Sequence, residues 1–406
     1  MTDIIVVGGG ASGLMAAVTA AAAGDKVAVL EQNDRVGRKL LATGNGRCNY
    51  TNQYQDRSCY HSENAAFPWG ILGQFDAERT VDFFQELGIY PKSRNGYLYP
   101  NSDQASAILD VLVMECSRLH VEFYREQKCT QILPQKSGFL IKTNAGELRA
   151  RRVILAAGSK ASAIPGSDGS GYALAKGLGH PLTPILPALV QLRCREDFYR
   201  SISGVRVQGQ VSIFADNACI AKDQGEIQLT AYDISGIPVF QVSAAAAEAL
   251  YAGKTVTAVL DFMPGMGWEE FLHFLDARVQ ARPEKTLEEF FTGLFPKKLS
   301  CLWIRLCRLE GRQRVHTLSK AQWNRIGHLI RQFETKVTET NPFKQAQVCR
   351  GGVDTRSVDP ATLESRLVKG LYFAGELLDV DGLCGGYNLQ WAWSSGFVAG
   401  REAAHA

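Results

Sequence analysis

The first fifty residues alternate between apolar runs and glycine-rich breaks. Ile4 to Val7 form a continuous apolar run, which is typical of a buried parallel strand. After several glycines, Leu14 to Ala23 form an alanine-rich stretch that ends before Gly24, and this pattern predicts a helix. A second apolar run, Val27 to Leu30, is followed by Glu31. The chain is therefore predicted to begin with a strand–helix–strand unit.

The apolar spacing changes twice further along the chain. Helical spacing recurs at Asp76 to Leu87 and at Ala105 to Leu119, and Arg151 to Ala161 predicts another buried strand. From about Leu189, apolar and polar residues alternate between turn residues, as they do in antiparallel strands. Trp268 to about Phe333 has helical spacing, and strand-like, glycine-rich sequence then returns.

These patterns predict an α/β protein in which both ends of the chain build one Rossmann-type domain. We assign residues 1–188 and 341–406 to that domain. Residues 189–264 are predicted to form an inserted antiparallel β domain, and residues 265–340 a small, basic helical domain. The middle of the chain is thus expected to interrupt a single Rossmann-type sheet.

Composition excludes several classes of protein but does not indicate a function. The chain has 406 residues, 46% hydrophobic and 21% charged, with a net charge of +3, which is too mild to indicate nucleic acid by itself. Its ten cysteines show neither CxxC pairs nor zinc-ligand spacing, so we expect reduced thiols and no bound metal. No apolar run reaches membrane-spanning length, and the N-terminus lacks the basic region of a signal peptide. We expect a cytoplasmic protein without membrane contact.

The first glycine-rich break has the spacing of a dinucleotide-binding loop. Gly8, Gly10 and Gly13 form a GxGxxG motif between the first strand and helix, with Ala11 and Ser12 inside it. Such glycines allow a tight turn and let a pyrophosphate approach the N-terminus of the helix. Glu31, eighteen residues beyond Gly13, ends the second strand, where an acid binds ribose hydroxyls. The complete unit predicts a bound dinucleotide.

A second glycine-rich loop favours FAD over NAD as that dinucleotide. It lies within "RVGRKLLATGNGRCNYTN", Arg35 to Asn52, where basic side chains follow the second strand and meet phosphate oxygens. Two separate glycine loops suit a long cofactor, although this stretch alone would also suit a basic surface loop. The residues assigned here to the cofactor are Arg38, Lys39, Gly44, Gly46, Arg47, Cys48 and Asn49.

A third glycine-rich loop, "DVDGLCGGYNLQWAWSSG", occurs at Asp379 to Gly396. We expect the preceding strand to end near the ribityl and phosphate part of FAD. A helix that begins after Gly385 and Gly386 would then direct its N-terminal amides at the flavin and favour negative charge there. Trp391 and Trp393 are interpreted as core residues. The other positions assigned to the cofactor are Cys129, Ala157, Gly158, Gly375, Glu376, Asp381, Gly385, Gly386, Tyr387 and Asn388.

Only one GxGxxG unit of this quality occurs in the sequence. A protein with a second dinucleotide domain for NAD(P)H would carry another such unit. NAD(P)H is therefore predicted to visit the flavin as a transient reductant, or else oxygen is the electron acceptor.

A basic segment within the predicted helical domain could contact RNA. Residues 297–331 contain nine Lys or Arg and a single acid, Glu310. On one continuous helix, leucines at 299, 302, 306 and 309 would form a stripe beside basic residues, and such a stripe can follow a phosphate backbone. A solvated basic face is the alternative. The predicted RNA contacts are Lys297, Lys298, Arg305, Arg308 and Arg312.

These motifs resemble the BaiN-like, or aminoacetone-oxidase-like, family of bacterial FAD-dependent flavoproteins. The resemblance rests on "GGGASGLMAA", "GRKLLATGNGRCNYTN", "GSDGSGYALAKGLGH", "ISGIPVFQVS" and "GLYFAGELLDVDGLCGGYNLQWAWSSG". It implies a glutathione-reductase-type FAD domain, an inserted barrel-like β domain and a helical domain that covers the flavin. The family includes a bile-acid Δ4,6-reductase, an aminoacetone oxidase and a ribosomal-RNA dihydrouridine synthase. Two of these activities reduce a conjugated carbon–carbon double bond.

The resemblance places Cys48 and Cys384 in loops near the flavin. Each thiol is a candidate proton donor for hydride addition, and each is alternatively a small side chain that packs beside the ring system. We favour the packing interpretation.

The inserted domain departs from the family in one element. Members often carry "TH-x-GLSGP", whereas this chain has "TAYDISGIP" from Thr230 to Pro238. Ala231 stands where the family's histidine would fall, and Asp233 stands in place of a glycine. This departure bears on the substrate implied by the resemblance and leaves the residues assigned to the cofactor unchanged.

The sequence thus predicts an FAD-dependent oxidoreductase that uses NAD(P)H to reduce an activated C=C bond. A uridine of large-subunit (23S) ribosomal RNA is the leading substrate, from the basic domain and the resemblance. The alternatives are a small molecule of the 3-oxo-Δ4 steroid or bile-acid type and an oxygen-using amine oxidase of the aminoacetone type.

Overall fold

The computed structural model describes residues 2–161 and 166–406. These residues divide into two compact units. The terminal unit consists of Met1–Leu186 and Phe343–Ala406, and the inserted unit consists of Pro187–Pro342. The insertion in a Rossmann-type domain is therefore present.

The strands are, in chain order, β1 Thr2–Val7, β2 Val27–Leu30, β3 Thr51–Asn52, β4 Tyr60–His61, β5 Pro91–Arg94, β6 Tyr97–Pro100, β7 Glu122–Tyr124, β8 Cys129–Gln135, β9 Gly138–Thr143, β10 Gly146–Leu155, β11 Leu186–Ala188, β12 Leu192–Cys194, β13 Arg206–Ala215, β14 Ala218–Leu229, β15 Asp233–Ser235, β16 Val256–Asp261, β17 Phe333–Thr340, β18 Val348–Arg350, β19 Leu371–Phe373 and β20 Asp381–Gly382.

The α-helices are α1 Ala11–Ala22, α2 Arg38–Ala42, α3 Phe67–Leu72, α4 Ala77–Glu86, α5 Ala105–Arg118, α6 Ser170–Gly177, α7 Ile237–Tyr251, α8 Trp268–Ala281, α9 Leu287–Phe291, α10 Lys297–Leu306, α11 Lys320–Arg331 and α12 Tyr387–His405. The short 3-10 helices are Thr43–Gly46, Arg57–Cys59, Asp197–Ile202, Val315–Thr317, Thr355–Ser357 and Gly375–Leu377.

The terminal unit is built on a mixed sheet with the order β7-β2-β1-β10-β9-β8, and β19 also pairs with β10. Strands β7, β2, β1, β10 and β19 are parallel, whereas β9 and β8 return antiparallel. The central strands are continuous apolar runs because helices and loops cover both faces of a parallel sheet. The predicted Rossmann-type α/β fold is confirmed.

Helices α1 and α12 come from opposite ends of the chain and pack closely in the terminal unit. A Cβ atom on Gly396 would lie 2.4 Å from the Ser12 carbonyl oxygen, and one on Gly400 would lie 2.5 Å from that of Ala16. The two glycines of α12 are therefore required by the close approach of the helices. This packing places the middle of α12 against the N-terminal half of α1.

The inserted unit, described without a gap, contains a closed antiparallel barrel with the order β12-β15-β14-β13-β16-β17. Its core combines barrel side chains with those of the helices that follow, including Leu260, Phe271, Leu302 and Ile326. The predicted barrel-like β fold of the insertion is confirmed.

The end of the predicted helical domain, residues 333–340, is instead strand β17 of the barrel. Phe333, Thr335 and Val337 are buried, whereas Glu334 and Lys336 between them are exposed. This period of two belongs to a strand with one face on the core. The helical spacing of the preceding residues does not continue into this strand.

Within the described residues, no helix combines the length and the apolar character needed to cross a bilayer.

Candidate functional site

The N-terminal glycine motif combines glycines that packing requires with one that faces open space. Gly8 has a φ of 110°, and a Cβ there would lie 2.4 Å from the Ala156 carbonyl oxygen. A Cβ on Gly13 would lie 1.9 Å from the Gly8 carbonyl oxygen. On Gly10, by contrast, a Cβ would meet no described atom within 4 Å. Gly10 caps α1 without a side-chain hydrogen bond, so the first amides of the helix are suited to a phosphate.

Glu31 lies beside this motif, as predicted from the end of β2. Its Oε2 accepts a hydrogen bond of 3.0 Å from the Gly9 amide, and its Oε1 accepts one of 2.8 Å from the Asn33 amide. The Gln127 amide donates to the Glu31 carbonyl, which brings the start of β8 near the same loop. Cys129 is buried there, and its burial raises its pKa to about 12. Its thiol is therefore held in the interior of the protein.

Basic residues after β2 are engaged by polar partners from two loops. Arg38 Nη1 donates to Asn33 Oδ1 at 3.1 Å. Lys39 Nζ lies 2.5 Å from Glu376 Oε2, and Ser159 Oγ donates to the same oxygen at 2.8 Å. Lys39 and Glu376, both assigned to the cofactor, therefore form an ion pair that joins the N-terminal and C-terminal loops.

The second glycine-rich loop is held in left-handed backbone conformations. Gly44, Gly46 and Cys48 have φ values of 55°, 82° and 57°. The Cys48 side chain is fully buried, and burial raises its pKa to about 12. Arg47 is exposed. Asn49 Oδ1 is buried and lacks a hydrogen-bond partner among the described residues, so it is available to a ligand donor.

The turn after β10 and the loop after β19 meet at the N-terminus of α1. The Ala156 amide donates to Val7 at the end of β1, and Ala157 and Gly158 follow directly. Gly375 is in close contact with α1, because a Cβ on it would lie 2.3 Å from Ser12 Oγ. The packing of the sheet thus brings these small residues, which are far apart in sequence, together at the N-terminus of α1.

The loop before α12 is held in place by hydrogen bonds from two asparagine side chains. Gly385 and Gly386 have φ values of 126° and 94°. Asn388 Oδ1 accepts from the Gly382 amide at 2.8 Å, and its Nδ2 donates to the Gly382 carbonyl at 2.8 Å. Asn52 Nδ2 donates to the Gly385 carbonyl at 2.9 Å. Asn388 therefore positions the loop.

Helix α12 starts at Tyr387, as predicted, and Gly386 caps it without a side-chain hydrogen bond. Burial raises the pKa of Tyr387 well above its usual value. The indoles of Trp391 and Trp393 are buried and donate to the Gly375 and Tyr50 carbonyls at 3.0 and 2.8 Å. These tryptophans fix the helix in the core.

Sequence reasoning missed a charged cluster under this loop. Arg350 Nε lies 2.7 Å from Asp381 Oδ1 and its Nη2 lies 3.2 Å from Oδ2, so Asp381 is held by a bidentate ion pair. Asp379 is 1% exposed, and its Oδ2 accepts from the Glu63 amide at 3.0 Å. Burial raises the pKa of Asp379 to about 6. The partners lie far away in sequence, so no local motif could have indicated them.

These features fit an elongated flavin dinucleotide. Two long helices, α1 and α12, begin at glycines without side-chain caps or acidic residues in the first turn. Gly10 leaves space at one of them. At the other, Asn49 Oδ1, which has no hydrogen-bond partner within the described part of the chain, lies 2.9 Å from the position of a Cβ on Gly386. Phosphate oxygens and a polar ring edge would satisfy these groups. The described residues contain no cluster of three or more potential metal-ligating acids, histidines or cysteines.

The predicted basic stripe is wrong as a single helical face. Helix α10 ends at Leu306, and Arg308 has a φ of 56°, so the chain leaves the helix before Arg308 and Arg312. Lys298 Nζ donates to the Ser203 carbonyl at 2.8 Å, and Arg305 Nη2 to Ser201 Oγ at 3.2 Å. The predicted contacts, all exposed, are Lys297, Lys298, Arg305, Arg308 and Arg312.

The departure from the family pattern is a buried acid in the inserted unit. Asp233 is 4% exposed, and its Oδ2 accepts from Asn341 Nδ2 at 2.8 Å. Burial raises its pKa, while Arg193 lies 3.9 Å away. Ala231 precedes it in the turn before β15. Asp233 is therefore buried in the barrel and held there by its hydrogen bond from Asn341.

A family model described as "HI0933-like protein Rossmann domain" matches residues 2–402. The chain is 46% identical over 406 residues to the 3-dehydro-bile acid delta(4,6)-reductase of Clostridium scindens, covering 100% of this chain and 99% of that protein. It is 30% identical over 404 residues to the ribosomal RNA dihydrouridine synthase of Haemophilus influenzae, covering 98% of this chain and 97% of that protein. It is 28% identical over 409 residues to the enzyme of the same name from Escherichia coli, with the same coverage of 98% and 97%.

Among solved structures, an open conformation of a flavocytochrome c3 fumarate reductase matches with a TM-score of 0.49 and 15% identity. That match covers 100% of this chain and 78% of the other.

Proposed function

The chain belongs to the HI0933-like Rossmann family of flavoprotein oxidoreductases, and from that premise we propose that it reduces an activated C=C bond in a small molecule. The proposed substrate class is a 3-oxo-Δ4 ring system of the steroid or bile-acid type, with FAD as cofactor and NAD(P)H as transient reductant. The small molecule thus takes precedence over the ribosomal-RNA uridine, which the sequence motifs and the basic segment had favoured.

One observation carries the proposal. The 46% identity to a bile-acid reductase extends over the whole chain, so it includes the cofactor loops and the inserted unit alike. The ribosomal-RNA enzymes, at 30% and 28%, are more distant over a similar length. A double bond conjugated to a ketone is also chemically suited to the reaction, since the carbonyl accepts charge as hydride adds to the β-carbon.

The chain's own groups would hold the reactants in this reaction. The amides of α1 beside Gly10 would bind the pyrophosphate, and Glu31 a ribose. When bound, FAD supplies the two-electron chemistry, taking a hydride from a nicotinamide and giving one to carbon. The N-terminus of α12 would favour negative charge beside it. A proton must reach the α-carbon to complete the reduction.

The proposal predicts a defined reaction in solution. Under anaerobic conditions, NADH or NADPH should bleach the flavin absorbance of the holoenzyme, and a 3-oxo-Δ4 steroid should restore it. The product should gain two mass units by mass spectrometry, because one hydride and one proton add. An amine oxidase would behave differently: reduction by small amines and peroxide release in air, without enone reduction, would contradict the proposal.

Replacing Cys48 and replacing Cys384 by alanine are expected to have different effects on stability and turnover. Cys48 is fully buried with a raised pKa, so Cys48→Ala is expected to lower stability by about 1–2 kcal/mol and keep turnover within about twofold. Cys384 lies half-buried in the loop before α12, so Cys384→Ala is the matched variant for the donor role. Thermal unfolding and single-turnover flavin reoxidation measure both. Loss of reoxidation in Cys48→Ala with FAD retained would show that its thiol donates the proton.

A uridine of ribosomal RNA is the second candidate substrate. The relatives at 30% and 28% identity carry that activity in their names, and the exposed basic residues of α10 and the segment after it would suit a phosphate backbone. Mass spectrometry of large-subunit ribosomal RNA from a deletion strain decides between the candidates. Loss of a dihydrouridine would place the uridine first, and an unchanged profile would leave the small molecule.

A further inference from the structure

A small hairpin beside the cofactor loops presents aromatic and cationic side chains on one face. In the pairing of β5 with β6, Arg94 lies opposite Tyr97, and Lys92 lies opposite Tyr99. Residues directly opposite each other on neighbouring strands point to the same side of the sheet. Leu98, between the two tyrosines, is buried on the other side, and Tyr97 and Tyr99 are partly exposed. We call Lys92, Arg94, Tyr97 and Tyr99 the hairpin face.

The hairpin face adjoins the second and the third glycine-rich loops, which contain Gly44 and Gly385. The Tyr97 ring lies against Gly385, since a Cβ there would be 2.6 Å from its Cε1. The Tyr99 ring lies near Gly44, at 3.7 Å by the same measure. The hairpin also pairs with β3 through Thr51 and Leu98. Gly385 is partly exposed, so a molecule bound beside it would adjoin the two phenol rings.

The cationic end of this face is only partly neutralised. Lys92 Nζ and Arg94 Nη2 lie 2.5 and 2.6 Å from the same oxygen, Asp103 Oδ2. The hydrogen bond from Lys92 holds the pKa of Asp103 below its usual value, and the charges of Arg94 and Arg47 act in the same direction. Three cations thus act on one described carboxylate. Arg47 is exposed and belongs to the second glycine-rich loop.

Two cations sharing one carboxylate oxygen leave donor capacity for a second anion. An ammonium group has three N–H donors and a guanidinium has five, and one hydrogen bond from each to Asp103 uses a small part of this number. The Arg94 guanidinium also lies 5.5 Å from the Tyr99 ring centroid, so charge and ring surface are adjacent.

We propose that the hairpin face, with Arg47, binds the anionic group of a reaction partner while its flat ring system packs on Tyr97 and Tyr99. The group is a carboxylate or a phosphate, carried by a polycyclic enone acid or by NAD(P)H. This inference rests on the proposed function for the position of the partner at the flavin. It adds that the enzyme recognises a charged tail as well as the enone.

Two substitutions with opposite expected effects on binding test the proposal. Arg94→Gln should weaken binding of a carboxylated 3-oxo-Δ4 steroid by about tenfold, because one charge-assisted hydrogen bond is lost. Asp103→Asn should strengthen it severalfold, because it removes the competing carboxylate. Asp103 has a φ of 53°, a conformation that asparagine adopts readily. Arg118→Gln, which breaks an exposed ion pair on α5, is the matched control and should change nothing.

The readout is the absorbance shift of the oxidised holoenzyme on titration with the steroid acid, its methyl ester and NADP⁺, which carries the phosphates of NADPH but does not reduce the flavin. The ester should bind all variants alike. If the substitutions change the binding of NADP⁺ and not that of the acid, the site is assigned to phosphate. The proposal is overturned if acid and ester respond equally with no effect on NADP⁺, or if Asp103→Asn weakens binding, as a purely structural ion pair would. Anion binding without any enone reduction would sink the proposed function and leave this inference standing.

Discussion

Gly10→Ala is expected to release FAD from a protein that remains folded. A Cβ on Gly10 meets no described atom within 4 Å, so the substitution does not disturb the protein's own packing. It does place a methyl group at the N-terminus of α1, where the pyrophosphate must approach the helix amides. Loss of even one or two hydrogen bonds to a charged group weakens FAD binding by about 100-fold or more.

The measurement is the flavin-to-protein absorbance ratio after purification, with FAD titrated into the apoprotein. Gly177→Ala is the matched control, since its Cβ also meets open space but lies at the exposed end of α6. Gly13→Ala should instead compromise folding, because its Cβ would lie 1.9 Å from the Gly8 carbonyl oxygen. Full FAD retention in Gly10→Ala would show that the cofactor does not use this loop.

Asp379→Asn should raise the free energy of unfolding at neutral pH relative to that at acidic pH. Burial raises the pKa of Asp379 to about 6 from the model-peptide value of 3.8. A carboxyl with a raised pKa binds its proton more tightly in the folded state, so folding loses stability as pH rises from about 4 through 6. The loss reaches about 3 kcal/mol at pH 8, where the buried carboxylate is charged.

Chemical denaturation at several pH values checks this expectation. The stability of Asp379→Asn relative to the natural protein should increase by about 3 kcal/mol between pH 4 and pH 8, whatever the constant offset of the substitution. Asparagine retains an oxygen for the Glu63 amide. Asp82→Asn, on the exposed side of α4, is the control. A stability difference that stays constant with pH would mean that Asp379 is not desolvated as described.

Features predicted from the sequence were those whose physical signal is local. The GxGxxG spacing and the apolar runs predicted β1, α1 and β2 because a turn, a helix and a buried strand each impose their own period on neighbouring residues. The helix start at Tyr387 followed from two glycines before a stretch of small and aromatic residues. Motif order also identified the family.

Features that escaped prediction depend on residues far apart in the chain. The sequence contains no sign that Lys39 pairs with Glu376, or that Asn52 holds the Gly385 carbonyl, since each pair is separated by more than three hundred positions. Residues 333–340 were placed in the helical domain although they form strand β17, because the pairing that closes the barrel involves distant residues. The basic stripe ended early because of one left-handed residue, Arg308.

The sequence by itself determined the cofactor class, the strand–loop–helix unit that begins the chain and the interruption of the Rossmann-type domain. Each of these features can be predicted from the spacing of glycines and apolar residues along a short segment. Only the tertiary structure decided which charges are neutralised and which thiols are accessible. Burial and pairing arise when distant segments meet, as when Arg350 fixes Asp381 or the hairpin brings Tyr97 against Gly385.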